Sequence, residues 1–209
     1  MIIESCVETV EQAIRAAQGG ATQLELCADL DHDGLTPTDI CIQNVLSNIR
    51  IPVKVMIRCR DGNFIYSAEE ISAMTKDIHR IRQFPIAGFV FGALHNVNGK
   101  LTLDMEAIRT LCEAAYPYPI TIHKAIDLCS DILNEIPKLK DINNIRYILS
   151  SGGQATAYLG QEMLAAMQSI AAPEISIIAA GKITHQNLYA LHNTLNLAYY
   201  HGRLITDMS

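Results

Sequence analysis

Glu4-Ser5-Cys6 and Glu25-Leu26-Cys27 repeat one pattern, a carboxylate and a thiol on alternate residues. Lys54, Met56 and Arg58 alternate in the same way, as do Thr121 with His123 and Tyr199 with His201. In an extended strand alternate residues share a face, so each set presents its polar groups to one side. Gathered at one site, these groups suit an enzyme acting on a small anionic metabolite, phosphorylated or carboxylated. Arg58 and Arg60 would hold the anion, Glu25 or His123 would transfer a proton, and Asp127 would orient His123 or stabilise its charge. Ser150-Ser151-Gly152-Gly153 precedes an expected helix start near Thr156, so the amides of Ser151, Gly152 and Gly153 are candidates for an anion cradle. Ala180-Gly181-Lys182 would add one more amide and a cation. Asp29-Leu30-Asp31-His32-Asp33-Gly34 has the look of a calcium loop, but Ile40 stands at the twelfth position, where a bidentate Glu is needed. That loop is read as a solvated rim.

These residues sit in a regular alternation of short β-branched segments and stretches of helical period, the pattern of βα units around a parallel sheet. Strands are expected at Ile2 to Cys6, Gln23 to Cys27, Val53 to Arg58, Gly88 to Gly92, Ile120 to Lys124, Tyr147 to Ser151, Ile175 to Ala179 and Leu197 to His201. Helices are expected at Glu8 to Gln18, Thr38 to Ser47, Ala68 to Gln83, Asp104 to Ala115, Asp131 to Leu139, Thr156 to Ile170 and His185 to Leu195. Ser67 with Glu70 forms a capping box, and Gly19-Gly20 closes the first helix. Eight such units predict an α/β fold, a small (β/α)8 TIM barrel in one domain over residues 1–209, lacking a full eighth helix. Val53, Val55 and Ile57 form the face that packs under helices, so the charged faces point into the barrel. There Glu4 and Glu25 are expected to pair with Lys54 and Arg58, because lone buried carboxylates cost several kcal/mol each. The missing helix leaves an apolar groove between the first and seventh helices, and a homo-oligomer covering it is expected.

Composition narrows the partners. With 16 Lys plus Arg against 22 Asp plus Glu, the formal charge is −6, and no basic block offers a footprint for nucleic acid. No apolar run approaches the roughly 18 residues of a membrane span, which predicts a soluble, cytoplasmic protein without membrane partners. Six cysteines in 209 residues are too sparse for a disulfide scaffold and are read as thiols.

Glu4-Ser5-Cys6-Val7, the Gly19 to Cys27 segment, Gly34-Leu35-Thr36-Pro37 and Val55-Met56-Ile57-Arg58-x-Arg60 together resemble the CutC family. The likeness continues through Phe64-x-Tyr66-Ser67, Phe91-Gly92, Thr121-x-His123-x-Ala125-x-Asp127 and Ile148-Leu149-x-Ser151-Gly152-Gly153, and so covers nearly the whole chain. The resemblance implies a (β/α)8 barrel associated with copper homeostasis and binding Cu(I) through two cysteines, which match Cys6 and Cys27 here. Soft thiolates suit Cu(I). Three departures stand out: Lys124 and Ile126 where the family has Arg and Phe, Cys59 where it has Pro, and Ala179-Ala180-Gly181 where it has three glycines. The resemblance leaves three readings: a copper-binding protein without turnover, an enzyme of small anionic metabolites, and an interaction module built on the groove.

Overall fold

The computed structural model describes residues 1–207; Met208 and Ser209, the end of the expected 1–209 domain, lie outside the described residues. Eight parallel strands close into a barrel: β1 (Ile2–Val7), β2 (Gln23–Leu26), β3 (Val53–Met56), β4 (Gly88–Phe91), β7 (Ile120–Ile122), β8 (Ile145–Ser150), β9 (Ser176–Ala179) and β10 (Tyr199–Gly202), which returns to β1. Seven helices lie between them: α1 (Val10–Gln18), α2 (Asp39–Asn48), α3 (Ala68–Ile81), α4 (Met105–Ala115), α5 (Ile132–Lys140), α6 (Gln161–Ala171) and α7 (Leu188–Leu195). The fold is the small (β/α)8 barrel expected from periodicity. No helix among the described residues is long and apolar enough to cross a membrane.

Local chemistry sets the boundaries. The Ser67–Glu70 capping box is formed on both sides, and Thr9, Thr38, Asp104 and Asp131 each accept an amide of the first turn of their helix. Two features differ from the sequence reading. A hairpin, β5 (Leu94–Val97) with β6 (Lys100–Leu103), follows β4 and turns at Asn98-Gly99, both at positive φ. Helix α6 begins at Gln161 rather than near Thr156, because residues 151–160 form a turn-rich loop above β8.

After β10 the chain does not leave the body. Ile205 and Thr206 are buried, and the carbonyl of Asp207 lies against Gly19 so closely that a Cβ there would stand 2.2 Å from it. The tail thus packs against the end of α1.

Outward faces of the strands, such as Leu24, Val55, Phe89, Ile122 and Ile148, pack under the helices. Inward faces meet in the lumen, where the layer under the cavity is ionic. Glu4, fully buried, is 3.0 Å from Lys54 Nζ, 2.9 Å from His201 Nδ1, and accepts a hydrogen bond from the Gln23 amide. Lys54 Nζ also donates to Thr121 Oγ1 at 3.0 Å and sits 4.0 Å over the Tyr147 ring. Burial pushes the Glu4 carboxyl up, but Lys54 and His201 outweigh it and bring its pKa down to about 2. Lys54→Met, which strands this carboxylate, is expected to cost about 3–5 kcal/mol in urea denaturation, and the Glu4→Leu/Lys54→Met double variant to cost less than the single one.

Candidate functional site

Above the ionic floor the lumen opens at the carboxyl ends of the strands into a cavity of about 400 Å³. Its walls carry two chemically different sides. Strands β1, β2 and β10 supply Cys6, Glu25, Cys27 and His201 to one; β3, the loop after it and the turn after β7 supply Met56, Arg58, Phe64 and His123 to the other.

On the first side the sulfurs of Cys6 and Cys27 lie 3.7 Å apart, and Cys27 Sγ donates to Glu25 Oε1 at 3.4 Å. The strand register puts Cys6 opposite Glu25, so Cys27 stands two residues further along its strand and the sulfurs meet diagonally. The contact with Cys27 lowers the Cys6 thiol to about 6 against the effect of burial, and the same contact together with burial pushes Cys27 well up. The two sulfurs are driven in opposite directions, Cys6 towards the thiolate and Cys27 towards the thiol. Burial raises Glu25 to about 8, and its Oε2 has no hydrogen-bond partner. Burial opposes a charge on His201, yet Glu25, Cys6 and Glu4 outweigh it and push its pKa well above the ordinary value.

On the second side His123 accepts the Ala125 amide at Nδ1, 3.2 Å away, and its ring lies 4.8 Å from that of Phe64. Burial, helped by the Arg58 charge, lowers its pKa to about 3. The imidazole is therefore neutral, and because Nδ1 is an acceptor the proton resides on Nε2, which has no partner. Gly92 makes room for this ring: a Cβ there would stand 2.8 Å from Nδ1.

Several sequence-based pairings are corrected. Arg58 does not pair with Glu25; lying past the end of β3, it donates to the carbonyls of His32 (2.9 Å), Gly34 (3.3 Å) and Gly62 (2.9 Å) and so ties two rim loops together. Arg60 is outside the cavity, bound to Glu70 and stacked over Tyr66. Asp127 does not touch His123. Its carboxylate accepts the amides of Ser151 (2.9 Å) and Gly153 (3.1 Å) and the hydroxyls of Ser150 and Ser151, while the Gly152 amide bonds Ser150 Oγ. The amides expected to cradle a ligand anion are taken by an anion of the chain itself. His201 and Phe64 carried no assigned role from sequence; the parity of the last strand placed His201 on the inward face, but its partners come from strands far away in the chain.

The CutC family model matches residues 1–206. The chain belongs to the CutC family. A CutC family protein of Pasteurella multocida is 35% identical over 201 residues, 96% of this chain and 81% of that protein. The human copper homeostasis protein cutC homolog is 36% identical over 187 residues, 90% of this chain and 67% of that protein. A CutC crystal structure from Streptococcus agalactiae superposes with a TM-score of 0.90 at 29% identity, covering 99% of this chain and 100% of that one. Dihydrodipicolinate synthase (DHDPS) from Cyanidioschyzon merolae, with a TM-score of 0.67 at 14% identity, shares the barrel fold alone; it matches 97% of this chain and 69% of its own.

In this CutC chain the neutral state of His123 has a measurable consequence. A pKa lowered from 6.5 to about 3 contributes stability that is full above about pH 6.5 and is lost as pH falls towards 3. Urea denaturation between pH 7 and 4 is expected to show a shallower acid-side loss in His123→Gln than in the unmodified chain, by up to about 1.4 kcal/mol per pH unit.

Proposed function

We propose that this CutC family member is a cytoplasmic copper-handling protein that binds Cu(I) through Cys6 and Cys27 at the barrel mouth. The observation that carries the reading is the 3.7 Å separation of the two sulfurs. At metal–sulfur bond lengths of about 2.3 Å, two sulfurs on one ion stand no more than about 4.6 Å apart, so the pair reaches a single ion without rearrangement of the strands. The register favours an ion over a disulfide. Two residues of offset across neighbouring strands put the two Cα atoms about 8 Å apart, beyond the reach of an S–S bond.

The surroundings are soft as well. Met56 packs in one cluster with Cys6 and Cys27, together with Val90 and Leu30, and thioethers join thiolates in selecting Cu(I). Glu25 places a ligand atom within 4.8 Å of both sulfurs, a harder donor better suited to zinc. All six cysteines are free, which fits a reducing compartment.

The test is titration of Cu(I) into reduced protein against a chromophoric Cu(I) chelator, with zinc in parallel. One equivalent is expected to bind, Cu(I) ahead of zinc, with the Cys6→Ser/Cys27→Ser variant weaker by about 100-fold or more. Unchanged affinity in that variant overturns the assignment.

A further inference from the structure

An ion at the two sulfurs leaves most of the cavity vacant, and the far side is built differently. Arg58 is 2% exposed, and among the described residues no carboxylate comes within 4.0 Å of it. Its three hydrogen-bond acceptors are neutral carbonyls, so its charge is buried on the cavity wall without a direct ion pair, the lining acids Asp33 and Asp127 standing beyond 4.0 Å. Phe64 lies between this charge and His123, 4.7 Å from the Arg58 guanidinium carbon and 4.8 Å from the imidazole. His123 is 4% exposed and lines the cavity. Its Nδ1 and Cε1 lie close to Gly92, and its Nε2 is buried with a proton and no acceptor. A buried donor without an acceptor costs about 1–3 kcal/mol, and so asks for an oxygen.

We propose that the Arg58–Phe64–His123 side of the cavity binds a small organic acid, a monocarboxylate carrying an acceptor oxygen on the neighbouring carbon, as in a 2-hydroxy or 2-oxo acid. The carboxylate answers the Arg58 charge, the neighbouring oxygen accepts the His123 Nε2 proton, and the carbon chain lies against Phe64, Met56 and Leu149. The low basicity of His123 supports this assignment, since a neutral imidazole stays a donor at every physiological pH. A phosphate ester is disfavoured. The amides of Ser151 and Gly153 that would hold it belong to Asp127, Arg60 is tied to Glu70, and Lys54 is spent on Glu4. This site does not depend on copper binding, because none of its polar groups is a proposed copper ligand.

The test is calorimetric titration of metal-free, reduced protein with lactate, lactamide and inorganic phosphate, with the imidazole N–H signals followed by NMR. Lactamide removes the charge from the ligand, which is preferable to replacing Arg58, whose guanidinium also clamps two loops. Lactate is expected to bind at least about tenfold more tightly than lactamide or phosphate and to shift the His123 Nε2–H resonance. His123→Leu should weaken lactate by about tenfold or more, and His123→Gln, whose amide keeps a donor near Nε2, should stay within about threefold of the unmodified protein. Equal affinity for lactate and lactamide, a response to phosphate as strong as that to lactate, no binding at millimolar lactate, or an unmoved Nε2–H resonance overturns the proposal. The resonance is read on the unmodified chain, so the result holds even where His123→Leu does not fold.

Discussion

A charge buried in the lumen of a barrel is costly unless another group answers it, and the answering groups come mostly from other strands. Glu4 is the strictest case: fully buried on β1, it is held by Lys54 of β3, His201 of β10 and Gln23 of β2. Those contacts join residues separated by up to 197 positions in sequence and cross the seam where β10 meets β1. The ionic floor therefore helps to define barrel closure as well as the bottom of the cavity. It also fixes His201, whose Nδ1 is committed to Glu4, in the position from which the imidazole acts on Cys6.

The same demand explains why the loop after β8 is not open to ligands. Four consecutive residues, Ser150 to Gly153, point amides and hydroxyls into a small concave space, and such a nest attracts an anion. Asp127 comes from the short helical turn after β7 and fills that space with its carboxylate. The amides of Ser151 and Gly153 converge on Asp127 of the same chain, and that of Gly152 bonds Ser150 Oγ. Asp127 thereby ties the loop after β7 to the loop after β8, as Arg58 ties the loops after β2 and β3 elsewhere on the rim.

Strand parity made the fold and the inward faces legible, because one register error would turn every polar residue of a strand outward under a helix. Cys6 and Glu25 line the cavity for that reason, and Cys27 and His123, one residue past the ends of β2 and β7, line it with the same parity. Partner choice was not legible. Glu25 and Arg58 are both inward and opposite in charge, yet Arg58 lies past the last ladder residue of β3, where its side chain is governed by loop carbonyls rather than by neighbouring strands. The hairpin after β4 carried a clear local signal in Asn98-Gly99 that the eight-unit pattern overshadowed. No signal in sequence order could have joined Asp127 to Ser151, since their distance in the chain says nothing about which of two nearby loops leans on the other.

Two histidines in one cavity show how completely surroundings decide chemistry. His201 faces Glu4 at 2.9 Å and Glu25 at 3.6 Å, so the carboxylates hold a proton on it despite burial. His123 faces an aromatic ring and the field of Arg58, so the same burial strips its second proton. The division follows from the placement of acids. Glu4 sits on β1 and Glu25 on β2, so the lumen glutamates share one side with the two cysteines. The side built from β3 and the turn after β7 carries Arg58 without an ion-pair partner, and Asp127, the acid of that turn, is held by the amides of the loop after β8. A barrel of barely 200 residues thus presents opposite electrostatic demands across one mouth, and a cation at the sulfurs and an anion at Arg58 would each reduce the cost of the other.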